Sequence, residues 1–103
     1  MSRHHIILPL NSKGIEEIEY CIYDSPNTQD YVMPDNEFNY VYPNISEKFN
    51  REFDTLLDDY EDEVIPCEKL GGFRKMLDDQ KAPVLCEALE RAIELKMPLC
   101  FEW

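Results

Sequence analysis

Ile45, Phe49, Phe53, Leu56, Leu57, Tyr60 and Val64 recur at helical spacing, the most regular apolar pattern in the 103-residue chain. At about 100° per residue they fill a stripe roughly 120° wide. Asn44 with Glu47 three residues later fits the pattern of a capping box in which Asn replaces the usual Ser or Thr. Pro66 stops the run. The spacing therefore predicts a helix over 45–63, with an apolar stripe that must be buried against another element.

A second helix is predicted over 83–97. Pro83 suits the first helical position. Leu85, Ala88, Leu89, Ala92 and Ile93 form its apolar face, Glu87 and Arg91 make an i,i+4 pair, and Pro98 ends it. Between the two helices, Gly71-Gly72 reads as a break, followed by a short helical turn through Phe73, Met76 and Leu77.

The remaining apolar residues alternate, as in strands. Pro9 makes residues near 5–9 either an edge strand or the end of a strand, and Asn11-Ser12-Lys13-Gly14 is turn chemistry. Over 16–23, Ile18, Tyr20 and Ile22 face one way and Glu17, Glu19, Cys21 and Tyr23 the other. The competing reading is a helix through Ile15, Ile18 and Ile22. Residues 24–36 form a long loop, 37–42 a strand with Phe38, Tyr40 and Tyr42 on one face, and 98–103 a terminal strand. The expectation is one α+β domain spanning 1–103. It has a small, mainly antiparallel sheet of about four strands packed against two main helices.

Charge narrows the function. The net charge is −12. Residues 16–63 hold fifteen acids against Lys48 and Arg51, while 64–103 is nearly neutral. Such a chain repels phosphates, which argues against direct contact with nucleic acid or an anionic membrane and points to a basic protein partner. In the predicted 45–63 helix, Asp54–Asp58, Asp58–Asp62 and Asp59–Glu63 are like-charge i,i+4 pairs, each unfavourable by roughly 0.2–0.5 kcal/mol. The acids also crowd the end of the helix where the macrodipole prefers cations. Broken local rules of this kind mark functional surfaces; the competing reading is a solvated face. The candidate partner-binding residues are Glu47, Asp54, Asp58, Asp59, Glu61 and Asp62. Tyr23 and Tyr31 join them, as tyrosines beside carboxylates grip Arg and Lys. Tyr20, Tyr40, Tyr42 and Tyr60 are assigned to the core.

No catalytic or cofactor motif is found: no H-E-x-x-H, G-x-S-x-G, phosphate loop or dinucleotide fingerprint. His4 and His5 are adjacent, point to opposite faces of a strand and are assigned to a frayed terminus. Cys21, Cys67, Cys86 and Cys100 lack zinc spacing, and Cys86 and Cys100 lie among apolar residues. No run reaches the ~18 apolar residues of a membrane span, and no export signal is legible. A cytoplasmic protein with four free thiols, no metal, no cofactor and no enzymatic activity is expected.

In size, charge, strand–helix order and its acidic helix, the chain resembles the immunity proteins of bacterial toxin systems, including contact-dependent growth inhibition. Leu89-Glu90-x-Ala92-Ile93 followed by Pro98-Leu99-x-Phe101 adds to that likeness without being specific. The resemblance implies an inhibitor that binds a basic toxin domain, often a nuclease, and blocks its active site; it assigns no individual residue. Two alternatives stand beside it. One is a nucleic-acid mimic that occupies a DNA- or RNA-binding enzyme. The other is a small enzyme using a Cys and His pair.

Overall fold

The structure, a computed structural model, describes residues 4–58 and 62–103. Four strands form one antiparallel sheet: β1 (His4–Pro9), β2 (Thr28–Met33), β3 (Glu63–Ile65) and β4 (Leu99–Glu102), in the order β2-β1-β4-β3. Among the described residues there are five helices rather than two: α1 (Ser12–Glu19), α2 (Asp35–Val41), α3 (Asn44–Phe53), α4 (Cys67–Lys75) and α5 (Pro83–Leu95). The fold is a compact α+β arrangement, as the alternation and the two stripes require.

The main core lies on one face of the sheet. Ile6 and Leu8 of β1, Met33 of β2, Ile65 of β3, and Leu99 and Phe101 of β4 meet Val41, Phe49, Leu70, Phe73, Leu85, Ala88, Leu89 and Ala92 of α2–α5. Phe49 stacks on Phe73 at 4.3 Å between ring centroids, and Phe73 reaches Phe101 at 5.9 Å. The other face carries a smaller cluster of Ile7, Ile18 and Cys100, with Tyr23 against it, under α1.

Four expectations are corrected. Residues 16–23 are not a strand; Ser12–Glu19 is helical. The helical reading prevails for Ile15 and Ile18, while Ile22 lies beyond the helix and is exposed; Asn11 caps the helix, its side chain accepting the N–H of Gly14 at 3.0 Å. Tyr20, assigned to the core, is exposed. Residues 37–41 belong to α2, and Tyr42 caps its end, for a similar reason. Asp35 and Glu37 place charge in its first turn, where the dipole favours acids, and Phe38, Val41 and Tyr42 recur at helical spacing. The missing strand lies inside the expected 24–36 loop, as β2 pairs with β1 from His4↔Met33 to Pro9↔Thr28.

The long acidic helix is also shorter than its stripe. It ends at Phe53, and Asp54 adopts the left-handed conformation at φ 55°. Asn50 holds the turn. Its Oδ1 accepts the N–H of Leu57 at 2.9 Å and the hydroxyl of Thr55 at 2.7 Å, and its Nδ2 donates to the Leu57 carbonyl at 2.9 Å. Leu57 is buried and Leu56 exposed. Ending the helix removes the like-charge spacing that continued helix would impose on Asp54, Asp58 and Asp62.

Gly71-Gly72 does not break the chain; both lie within α4. Gly72 is there for close approach. A Cβ on it would stand 2.0 Å from Cζ of Phe53, so the missing side chain seats the Phe53 ring. His4 and His5 lie within β1 rather than in a frayed terminus. His4 is buried, stacked on Phe38 at 3.8 Å, and donates from Nε2 to Asp35 at 2.8 Å.

Candidate protein-binding face

Beneath α1 the sheet is covered only in part. Strand alternation places His5, Ile7, Asp30, Val32, Val64, Cys100 and Glu102 on this face. In one row the register sets Val32 and Glu102 on either side of His5. Since Glu63 pairs with Phe101, Asp62 falls in line with Glu102 at the far end of that row. The next row runs Asp30, Ile7, Cys100, Val64.

Ile18 and Tyr23 bury Ile7 and Cys100. The ends stay open: Val32 is 43% exposed and Val64 44%. The four strands contain no lysine or arginine, so the open part of the face is acidic and apolar. Asp30 accepts from Nδ1 of His5 at 2.8 Å, and Asp62 accepts the hydroxyl of Tyr23 at 2.6 Å. Burial raises the Glu102 carboxyl above its usual range, and the charges of Asp62 and Asp30 push the same way against the opposing pull of His5. Burial, followed by the bond to Asp62, raises the Tyr23 phenol, which stays protonated and keeps donating.

The expected binding residues separate. Tyr23 and Asp62 come together here. Tyr31 lies on the opposite face of β2, packed against the main core near Glu87 and Arg91 of α5. Glu47 is exposed on α3, in the helical layer across the sheet from Tyr23. Asp54 marks the end of α3, and Asp58 is half-buried beyond it. Asp59, Tyr60 and Glu61 lie outside the described residues. Asp30, Glu102, Val32 and Val64 were missed. The register of β2 against β1 reveals Asp30 and Val32, and that strand was hidden in a segment read as loop; Glu102 and Val64 follow from the pairing of β4 with β1 and β3.

The four cysteines are free. Burial pushes the thiols of Cys86 and Cys100 up to about 11. Both are therefore protonated at neutral pH, the opposite of what a cysteine nucleophile needs. An open groove of about 540 Å³ on the outer side of α5 runs from Asp79 past Cys86 to Glu94. Near it Arg74 pairs with Asp79 and Glu90. Among the described residues no helix is long and apolar enough to cross a membrane, and no group of three His, Cys, Asp or Glu side chains is arranged to hold a metal ion. No protein-family model, no curated protein and no solved structure matches this chain.

Proposed function

We propose that this chain is an immunity-type inhibitor: a cytoplasmic bacterial protein that covers the active site of a basic toxin domain. A nuclease fits best, because an enzyme that grips phosphates presents a basic cleft. The observation that carries the reading is the row Val32, His5, Glu102, Asp62. It sets an exposed apolar side chain beside carboxylates that disfavour one another's charge. A partner bringing Arg or Lys to that row relieves the repulsion and buries the valine, and the net charge of −12 steers such a partner in.

The test is co-expression with the toxin domain encoded immediately upstream in the native genome. The expected result is restored growth and a one-to-one complex that weakens steeply with salt. A neighbouring product whose toxicity the chain leaves untouched, or a complex indifferent to ionic strength, overturns the reading.

A further inference from the structure

The two edges of the sheet are treated differently. β3 is three residues long and ends against Pro66, two devices that keep an edge from recruiting another chain. β2 at the opposite edge also ends against a proline, Pro34, but it lacks the protection of shortness. It runs for six residues, contains no lysine or proline, and keeps continuous register with β1 through all six pairs, without a bulge. Among the described residues, no hydrogen bond of Gln29–Met33 reaches any element other than β1. Every second residue of β2 therefore turns its backbone N–H and C=O outward to solvent.

We propose that this outer edge docks an extended, lysine- or arginine-bearing segment of a partner protein, which adds a fifth strand to the sheet. The inference rests on the reading above in taking the partner to be a basic protein. Charge selects the occupant. Side chains of an added strand alternate between two faces. On one face they lie beside Asp30 and the half-exposed Val32; on the other they lie beside Gln29 and Tyr31, with Glu87 and Arg91 of α5 close by. A second copy of this chain would bring another −12 charges and, in an antiparallel pairing of β2 with itself, a second Asp30 close to the first. A basic strand meets an opposite charge at Asp30 on one face and at Glu87, partly offset by Arg91, on the other. The backbone bonds supply affinity, and the flanking acids supply selection.

Hydrogen exchange of the full chain tests this with three synthetic probes, independently of any toxin. The first is a short peptide alternating lysine and valine. The second is the same peptide with alternate backbone amides N-methylated. The third alternates glutamate and valine. The amides within 29–33 that face away from β1 should exchange fast in the free protein and slow by about tenfold or more at saturation with the first peptide. The second and third peptides should leave them within about twofold of the free rate. Equal protection by the N-methylated peptide would mean charge alone binds and would overturn the proposal. So would protection confined to another element, no slowing at millimolar peptide, or protection that appears on concentrating the protein alone, which marks self-pairing. If the edge fails while co-expression still rescues growth, the function stands and the interface lies elsewhere; if rescue fails while the edge binds, the converse holds.

Discussion

The carboxylate of Glu37 accepts the backbone N–H of Leu85 at 2.8 Å, across 48 residues of sequence. Its second oxygen takes the N–H of Val84 at 3.3 Å. Ala82 gives α5 no side-chain cap, so α2 supplies one, buried to 1% exposure and bearing the charge that a helix N-terminus favours. Glu37→Ala leaves both N–H groups unpaired in the interior and is expected to cost about 2 kcal/mol. Glu37→Gln, which retains one acceptor oxygen, should cost less. Urea unfolding measures both; a Glu37→Ala midpoint equal to that of the parent would remove the capping role.

The adjacent glycines of α4 should respond with opposite signs. A Cβ at Gly71 meets nothing within 4 Å, so Gly71→Ala should stabilise the helix by about 0.5–1 kcal/mol. A Cβ at Gly72 collides with the Phe53 ring, and Gly72→Ala should lose about 1–3 kcal/mol. Thermal melts of the two variants decide the matter, and a shared sign would contradict the packing.

Acidity offers a third check. The folded state holds the Glu102 proton more tightly than the unfolded chain, chiefly through burial and then through Asp62. Its contribution to stability therefore falls as pH rises from the ordinary carboxylate range through the raised value, and is flat beyond. Glu102→Gln should melt higher than the parent at neutral pH, with the gap closing in acid. Glu17 has the opposite sign. Hydrogen bonds from Asn27 and Ser25 hold its carboxyl below the ordinary value. That contribution is present at neutral pH and is lost as pH falls through the lowered value. Melting temperature followed against pH for Glu17→Gln should show a deficit that disappears in acid.

Lys96 closes α5 in the left-handed conformation, at φ 59°, while the N–H of Met97 donates to the Ala92 carbonyl at 2.8 Å. A glycine adopts that geometry without the Cβ conflict. Lys96→Gly is expected to gain about 0.5–1 kcal/mol, read from the chemical denaturation midpoint. A loss of stability would show that the lysine side chain contributes more than its backbone costs.

For binding, Asp62→Asn separates charge from scaffold, because the amide oxygen still accepts the Tyr23 hydroxyl. The variant should fold like the parent and bind its basic partner about three- to tenfold more weakly, with a shallower dependence on salt. Unchanged affinity would move the interface off this row.

Both ends of the chain and α5 were legible because β1, α5 and β4 carry their own punctuation in Pro9, Pro83 and Pro98. The middle was not. Ile18, Tyr20 and Ile22 satisfy a period of two, while Ile15, Ile18 and Ile22 satisfy a helical one; Asn11, read as part of a turn, was the cap that decided. The stripe from Ile45 to Val64 is periodic throughout, yet only Asn50's bonds to Leu57 show where the helix stops. Of the candidate site, Tyr23 and Asp62 were found through composition, and Glu102 through nothing in the sequence, since its position depends on pairing with a strand more than ninety residues away in the chain.

The sheet order gives the chain a schedule. β4, the last of the sheet's four strands in chain order, inserts between β1 and β3 and pairs with both. Until it emerges, the sheet of a growing chain consists only of the β1–β2 pair, joined through α1, and a three-residue strand with no neighbouring strand to hold it. The sheet that carries the acidic row therefore closes in one late step, and a nascent chain lacking Leu99–Glu102 leaves Ile65 and Ile6 without the strand that joins them.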